Sequence, residues 1–205
     1  MHTRLRMLAA VLLTLAVGVT AAACGTDSLH DAMGHDTSGM SHDGMTHSPA
    51  QMGTGRDADV MFTQEMIPHH QQAVVMADLA LDPSHEASPA VQDLATRIKT
   101  AQTAEIADMT AWLKAWGADP VSGQMMDHDG MGMMSAAAMT ALENAKGPAF
   151  DRLWLEGMIA HHEGALMMAS HIADRGDDAR VQKLSEAIDQ SQTAEIAEMK
   201  KLLGQ

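Results

Sequence analysis

Apolar residues recur along this chain at spacings of four and three. One run is Phe62, Met66, His69, Ala73, Met76 and Ala80; another is Trp154, Met158, His161, Ala165, Met168 and Ile172. At 3.6 residues per turn, each run is one face of a helix. A histidine stands in the middle of each. Two further stripes read Val91, Ala95, Ile98, Gln102, Glu105, Met109, Trp112, Trp116 and Val181, Ser185, Ile188, Gln192, Glu195, Met199, Leu202. An amide and a carboxylate interrupt these at matching places.

Start and stop residues bound the helices. The first should run from about Asp57 to Leu81, capped by Asp57 or Asp59 and ended by Asp82-Pro83. Pro68 lies inside it and should bend it. Ser88-Pro89 opens a second helix, which reaches Trp116 and stops at Gly117. Ser135 caps a short helix to Lys146. Gly147-Pro148 begins a third long helix ending at Gly176, and Asp177 or Asp178 caps a fourth reaching Leu203. No convincing two-residue alternation appears, so the fold class is all-α.

The helices also repeat. Met66–Met76 aligns without a gap on Met158–Met168, and Gln102–Met109 on Gln192–Met199. The unit is a helical hairpin, and two hairpins predict an antiparallel four-helix bundle with approximate two-fold symmetry over residues 57–205. Its parts are residues 57–117, a Met-rich linker with a short helix over 118–147, and residues 148–205.

The N-terminal stretch follows a different pattern. Arg4 and Arg6 precede an apolar run, Met7 to Val19, that ends in Ala21-Ala22-Ala23-Cys24. This reads as an export signal over residues 1–23, too short for a good membrane span. Cys24 is the only cysteine. Its place resembles the lipidation site of a bacterial lipoprotein, which would anchor the mature chain to the membrane. Ordinary cleavage with secretion is the alternative. Residues 24–56 read as a disordered tether of Gly, Ser, Thr and Asp. It carries Met33-Gly-His35, Met40-Ser-His42 and Met45-Thr-His47, and Met126-Asp-His128 repeats the spacing in the linker. Met125, Met131, Met133 and Met134 lie close to that last pair. A solvated stalk is the plain reading of the tether. Thioether beside imidazole favours metal capture, with copper as the suited ion.

Charge narrows the partners. The chain has 13 basic and 27 acidic residues. Without Arg4 and Arg6 the balance is 11 − 27 = −16. Nucleic acid is excluded as a natural partner, because binding it needs a basic face, and cations are favoured. With no cysteine after Cys24, the domain has neither disulfides nor thiolate ligands.

The polar residues on the inner stripes carry the chemistry. His69, His161, Glu105, Glu195, Gln102 and Gln192 are expected to form one layer near mid-height, flanked by Met66, Met76, Met109, Met158, Met168 and Met199. Buried without partners, such groups cost about 1–3 kcal/mol each. They must satisfy one another, as register-setting His–Glu pairs, or hold a metal. His70 and His162 point about 100° away from their neighbours and cannot share the axis. They are expected at a helix–helix seam, as further ligands or as groups orienting the first; a surface role is the alternative. The thioethers favour copper, since methionine suits Cu(I) and imidazole either copper state. Iron and zinc fit less well: no glutamate stands three residues before a paired histidine, and zinc would make little use of methionine.

The Met-Ile-x-His-His-x-x-Ala-x-x-Met-Ala segments, the Phe150-Asp151-Arg152 lead-in and the Gln-x-x-Glu-Ile-x-x-Met segments resemble a bacterial family. It is the ferritin-like domain of unknown function numbered three hundred and five, and the resemblance spans about Asp57 to Leu203. It implies a four-helix bundle, usually exported, with some members tied to copper binding and tolerance. Met66, His69, His70, Met158, His161 and His162 are the matching positions. The resulting expectation is an exported protein that buffers or sequesters copper outside the cytoplasmic membrane. A ferritin-like oxidase acting on Cu(I) or Fe(II), and a helical interaction module without metal, are its rivals.

Overall fold

The computed structural model describes residues 53–119 and 131–205. The export signal, Cys24, the tether residues Met33, His35, Met40, His42, Met45 and His47, and the linker residues Met126 and His128 lie outside the described residues. All described helices belong to one compact unit over residues 46–205. Five α-helices and no strand are found among the described residues: α1 Arg56–Leu81, α2 Pro89–Trp116, α3 Ala136–Asn144, α4 Pro148–Ala173 and α5 Ala179–Leu202. A short 3-10 turn, Pro83–His85, joins α1 to α2. None of these helices is long and apolar enough to cross a membrane.

α1 packs on α2, α4 on α5, and α1 on α4. Direction follows from which residues meet. Along α1 and α2 the polar contacts are Gln64 with Asp119, His70 with Glu105, and Asp78 with Lys99, so one number rises as the other falls. These two helices therefore run antiparallel. α1 and α4 do so as well: Asp59 meets Asp177 near one end, and Met76 meets Trp154 near the other. Arg97 of α2 bonds Glu198 of α5 across the molecule.

The helix ends follow sequence signals, with one exchange of roles. Ser88, Ser135 and Asp178 cap α2, α3 and α5 through their side chains, and Gly117 ends α2 at φ 70°. α4 closes at Ala173, short of Gly176. Neither Asp57 nor Asp59 caps α1, whose N-cap is Gly55. The Asp59 carboxylate instead accepts the backbone N–H groups of Asp177 and Asp178 at 3.2 and 3.0 Å. Its counterpart Asp151, 92 residues later, accepts Ser88 N–H at 3.0 Å. Each aspartate thus binds the start of a helix in the other repeat, where the helix dipole favours a negative charge. Pro68 lies within α1, which continues through it.

Burial follows the stripes on α1 and α4 throughout, with all twelve stripe residues buried. On α5 the stripe residue Glu195 is only partly buried and Leu202 is exposed, while Leu184 and Ile196 are buried as well. The core forms two clusters. One includes Met76, Met158, Met199, Trp154 and Phe150; the other includes Met66, Met109, Met168, Phe62 and Leu113. The histidine layer lies on the same helix faces.

Candidate metal centre

The two repeats meet at their histidines. His69 on α1 and His161 on α4 stack with ring centroids 3.7 Å apart and planes tilted by 39°. These are equivalent residues of the two matching sequence segments.

The neighbouring histidines face sideways. One residue further on, a helical side chain has turned by about 100°. His70 therefore faces α2, and its Nε2–H donates to Glu105 Oε2 at 2.7 Å. His162 faces α5 and donates to Glu195 Oε2 at 2.7 Å. Both rings are fully buried, so a surface role for them is excluded, and the carboxylates are 21% and 15% exposed. The expected single ring of His69, His161, Glu105 and Glu195 is not formed. The glutamates pair with the second histidine of each doublet because that is the one aimed into its own hairpin. Among the described residues no three His, Cys, Asp or Glu side chains gather in a set able to hold a metal ion.

The layer is under-satisfied. His70 Nδ1, His162 Nδ1, Gln102 Oε1 and Gln192 Oε1 are buried without a hydrogen-bond partner, and neither ring nitrogen of His161 has one of normal geometry. Each such atom costs about 1–3 kcal/mol. The Nε2 atoms of His70 and His162 are thus committed to Glu105 and Glu195, and their Nδ1 atoms are buried. A carboxylate on the far nitrogen is also the usual support for a metal-ligating histidine. Burial holds the His161 pKa well below the usual imidazole value, aided by His69, His162 and His70 and opposed only weakly by the His69 backbone. Its ring is held neutral, the form able to ligate.

All six predicted methionines are buried, as two sets of three. Met66, Met109 and Met168 come from α1, α2 and α4; Met158, Met199 and Met76 come from α4, α5 and α1. The sets are related position by position, so each cluster holds the equivalent of the other's sulfur atoms.

Sequence reasoning missed two features. Glu65, one turn before His69, has a buried Oε2 without a partner, and burial raises its carboxyl pKa. Its helical spacing from His69 was the available signal. The second is the returning linker at Met131–Met134. Gln72 bonds Met134 twice, and His69 Nε2–H donates to the Met131 carbonyl at 3.0 Å.

Residues 59–203 match the model of a domain of unknown function, DUF305. The chain belongs to the DUF305 family. No curated protein sequence matches it significantly. Solved structures do. A DUF305 fragment from Deinococcus radiodurans is 33% identical with a TM-score of 0.65, over 71% of this chain and 95% of that one. A DUF305 protein of Streptomyces coelicolor, described as a candidate secreted protein, is 31% identical with a TM-score of 0.65, over 71% and 90%. CopM in its Cu(II)-bound form is 35% identical with a TM-score of 0.62, over 74% of this DUF305 chain and 97% of CopM. CopM also has Cu(I)-bound and silver-bound structures.

Proposed function

We propose that this DUF305 protein is an exported copper-binding four-helix bundle, ferritin-like in architecture, that buffers or sequesters copper outside the cytoplasmic membrane. The observation that carries the reading is the buried pair His70 and His162, each held by a carboxylate at Nε2 while its Nδ1 is buried without a hydrogen-bond partner. Imidazole lone pairs flanked by thioethers form a donor set suited to copper and to other soft cations. Copper is cargo here. His69, His70, His161 and His162 would hold it, with Met66, Met76, Met109, Met158, Met168 and Met199 as the soft donors around them. Glu105 and Glu195 would orient His70 and His162 and supply negative charge.

Three further features support the reading. CopM, a third identical in sequence, was solved with copper in both oxidation states. The N-terminal signal and Cys24 favour export with a lipid anchor. The tether residues Met33 to His47 and the linker pair Met126 and His128 would collect the ion ahead of the bundle.

The test is an anaerobic Cu(I) titration of the full chain against a chromophoric chelator, beside a His69→Ala/His161→Ala double variant. The variant is expected to lose the tightest site. Unchanged stoichiometry and affinity would place copper elsewhere in the chain. Oxygen consumption during turnover of Cu(I) or Fe(II) would replace storage by an oxidase.

A further inference from the structure

The chain between α2 and α4 returns across the histidine layer at Met131–Met134, and residues of that layer hold it. The Gln72 amide makes a two-way clasp. Its Nε2 donates to Met134 O at 2.9 Å, and its Oε1 accepts Met134 N–H at 2.7 Å. Three residues earlier on the same helix, His69 Nε2–H donates to Met131 O at 3.0 Å.

The opposite wall is cut to receive this segment. A β-carbon on Gly164 would stand 1.8 Å from the Met131 carbonyl oxygen, and one on Gly132 would stand 2.1 Å from the Ala160 oxygen. Gly132 also has φ 74°, which favours glycine. The Met134 sulfur fills the space above Gly157, 2.7 Å from where a β-carbon would lie and beside the Met76 methyl. Gly164 is the counterpart of Gln72 in the other repeat, 92 residues on. One copy of that position is the clasp and the other is the notch.

We infer that Met131–Met134 is a strap over the His69–His161 pair, and that a soft monovalent cation gains His69 Nε2 only when the strap lifts. This rests on the copper-binding reading. A nitrogen donating its N–H has no lone pair to offer, so strap and cation compete for one atom. When the strap lifts, Nε2 gives up its proton to solvent and Nδ1 takes one up in exchange, which leaves the Nε2 lone pair to the cation. No electron is transferred in this step. Apparent affinity at the pair is then the intrinsic affinity scaled by the fraction of molecules with the strap open. Gln72 and Gly164 are positioning residues, acting through the strap and not on the ion.

Silver(I), soft and redox-inert, is the probe, added below one equivalent to the full chain. Two signals are followed: the imidazole nitrogen shifts of His69 and His161, and the hydrogen-exchange protection of the Met134 amide. In the unaltered chain, silver should shift both rings and release Met134 together. Gly164→Ala and Gln72→Leu should each lose Met134 protection without metal. Each should tighten silver binding at the pair about tenfold, as for a strap closed about nine-tenths of the time. If Gly164→Ala does not fold, Gln72→Leu, on a partly exposed side chain, carries the test. Silver bound at the pair with Met134 still protected overturns the strap and leaves the copper reading standing. Unaltered affinity in a variant that has lost Met134 protection does the same. No binding at the pair in any variant ends both. Binding in the variants alone makes the strap a complete block.

Discussion

At the scale of single residues, the molecule turns on what an imidazole does when it is buried. His161 is held neutral by burial, its pKa well below the ordinary 6.5. Below pH 6.5 the unfolded chain takes up a proton at this residue, and the folded chain does not. Folding stability contributed by the neutral ring is thus present above pH 6.5 and falls as pH is lowered. Urea midpoints of the metal-free protein should decline from pH 7 to pH 5, and a His161→Gln variant should decline less steeply. Glu65 acts in the opposite sense, because burial raises its carboxyl pKa. Its cost grows as pH rises past the ordinary carboxylate range, so Glu65→Gln should raise the midpoint at pH 7 and leave it unchanged near pH 4. The doublets were legible in the sequence, since two histidines on apolar stripes need an explanation. The pairing was less so. Stripe geometry places Glu105 and Glu195 in the right layer, but an angular step of 100° decides which histidine each receives, and the sequence leaves the helix rotation open.

At the scale of elements, two helix starts are tied by bonds that cross between the repeats. Asp59 accepts two N–H groups at the start of α5, and Asp151 accepts one at the start of α2. Charge-assisted bonds of this kind contribute about 1.5–3 kcal/mol each. Asp59 is fully buried. Asp59→Ala should therefore cost more than Asp151→Ala, by about 1–2 kcal/mol in denaturant unfolding. Equal losses would show that the second bond adds nothing. Trp154 fills the core between α1 and its neighbours, and its Nε1–H donates to the Met76 carbonyl at 2.8 Å. Trp154→Phe should cost about 1–3 kcal/mol, through the loss of this buried hydrogen bond and a smaller ring. Helix starts and stops were readable within a residue or two wherever a side chain caps its own helix. Asp59 misled because its partner lies 118 residues away, and a local capping rule has no means of seeing that.

At the scale of the whole molecule, a bound ion should hold the two repeats together at the contact where they meet. A cation that binds only the folded form adds about 2.7 kcal/mol at a hundred times its dissociation constant. Silver or Cu(I) should raise the unfolding midpoint of the full chain accordingly. The His69→Ala/His161→Ala variant should show most of that gain removed. Equal gains in both would assign the stabilising ion to the methionine clusters alone. The repeat was visible from the gapless match of its histidine segments, and so was the all-helical class. The returning linker was not, because the Met-rich segment has no periodicity and its seat is defined by an absence, a glycine with no side chain.

That absence bears on how the protein must be put together. In an assembly of two identical hairpins, the positions now occupied by Gln72 and Gly164 would carry the same residue. There would be two clasps and no notch to lie in, or two notches and nothing to grip. Only a fused chain, whose halves are free to diverge, can close one flank of an otherwise symmetric centre and leave the other to a different use.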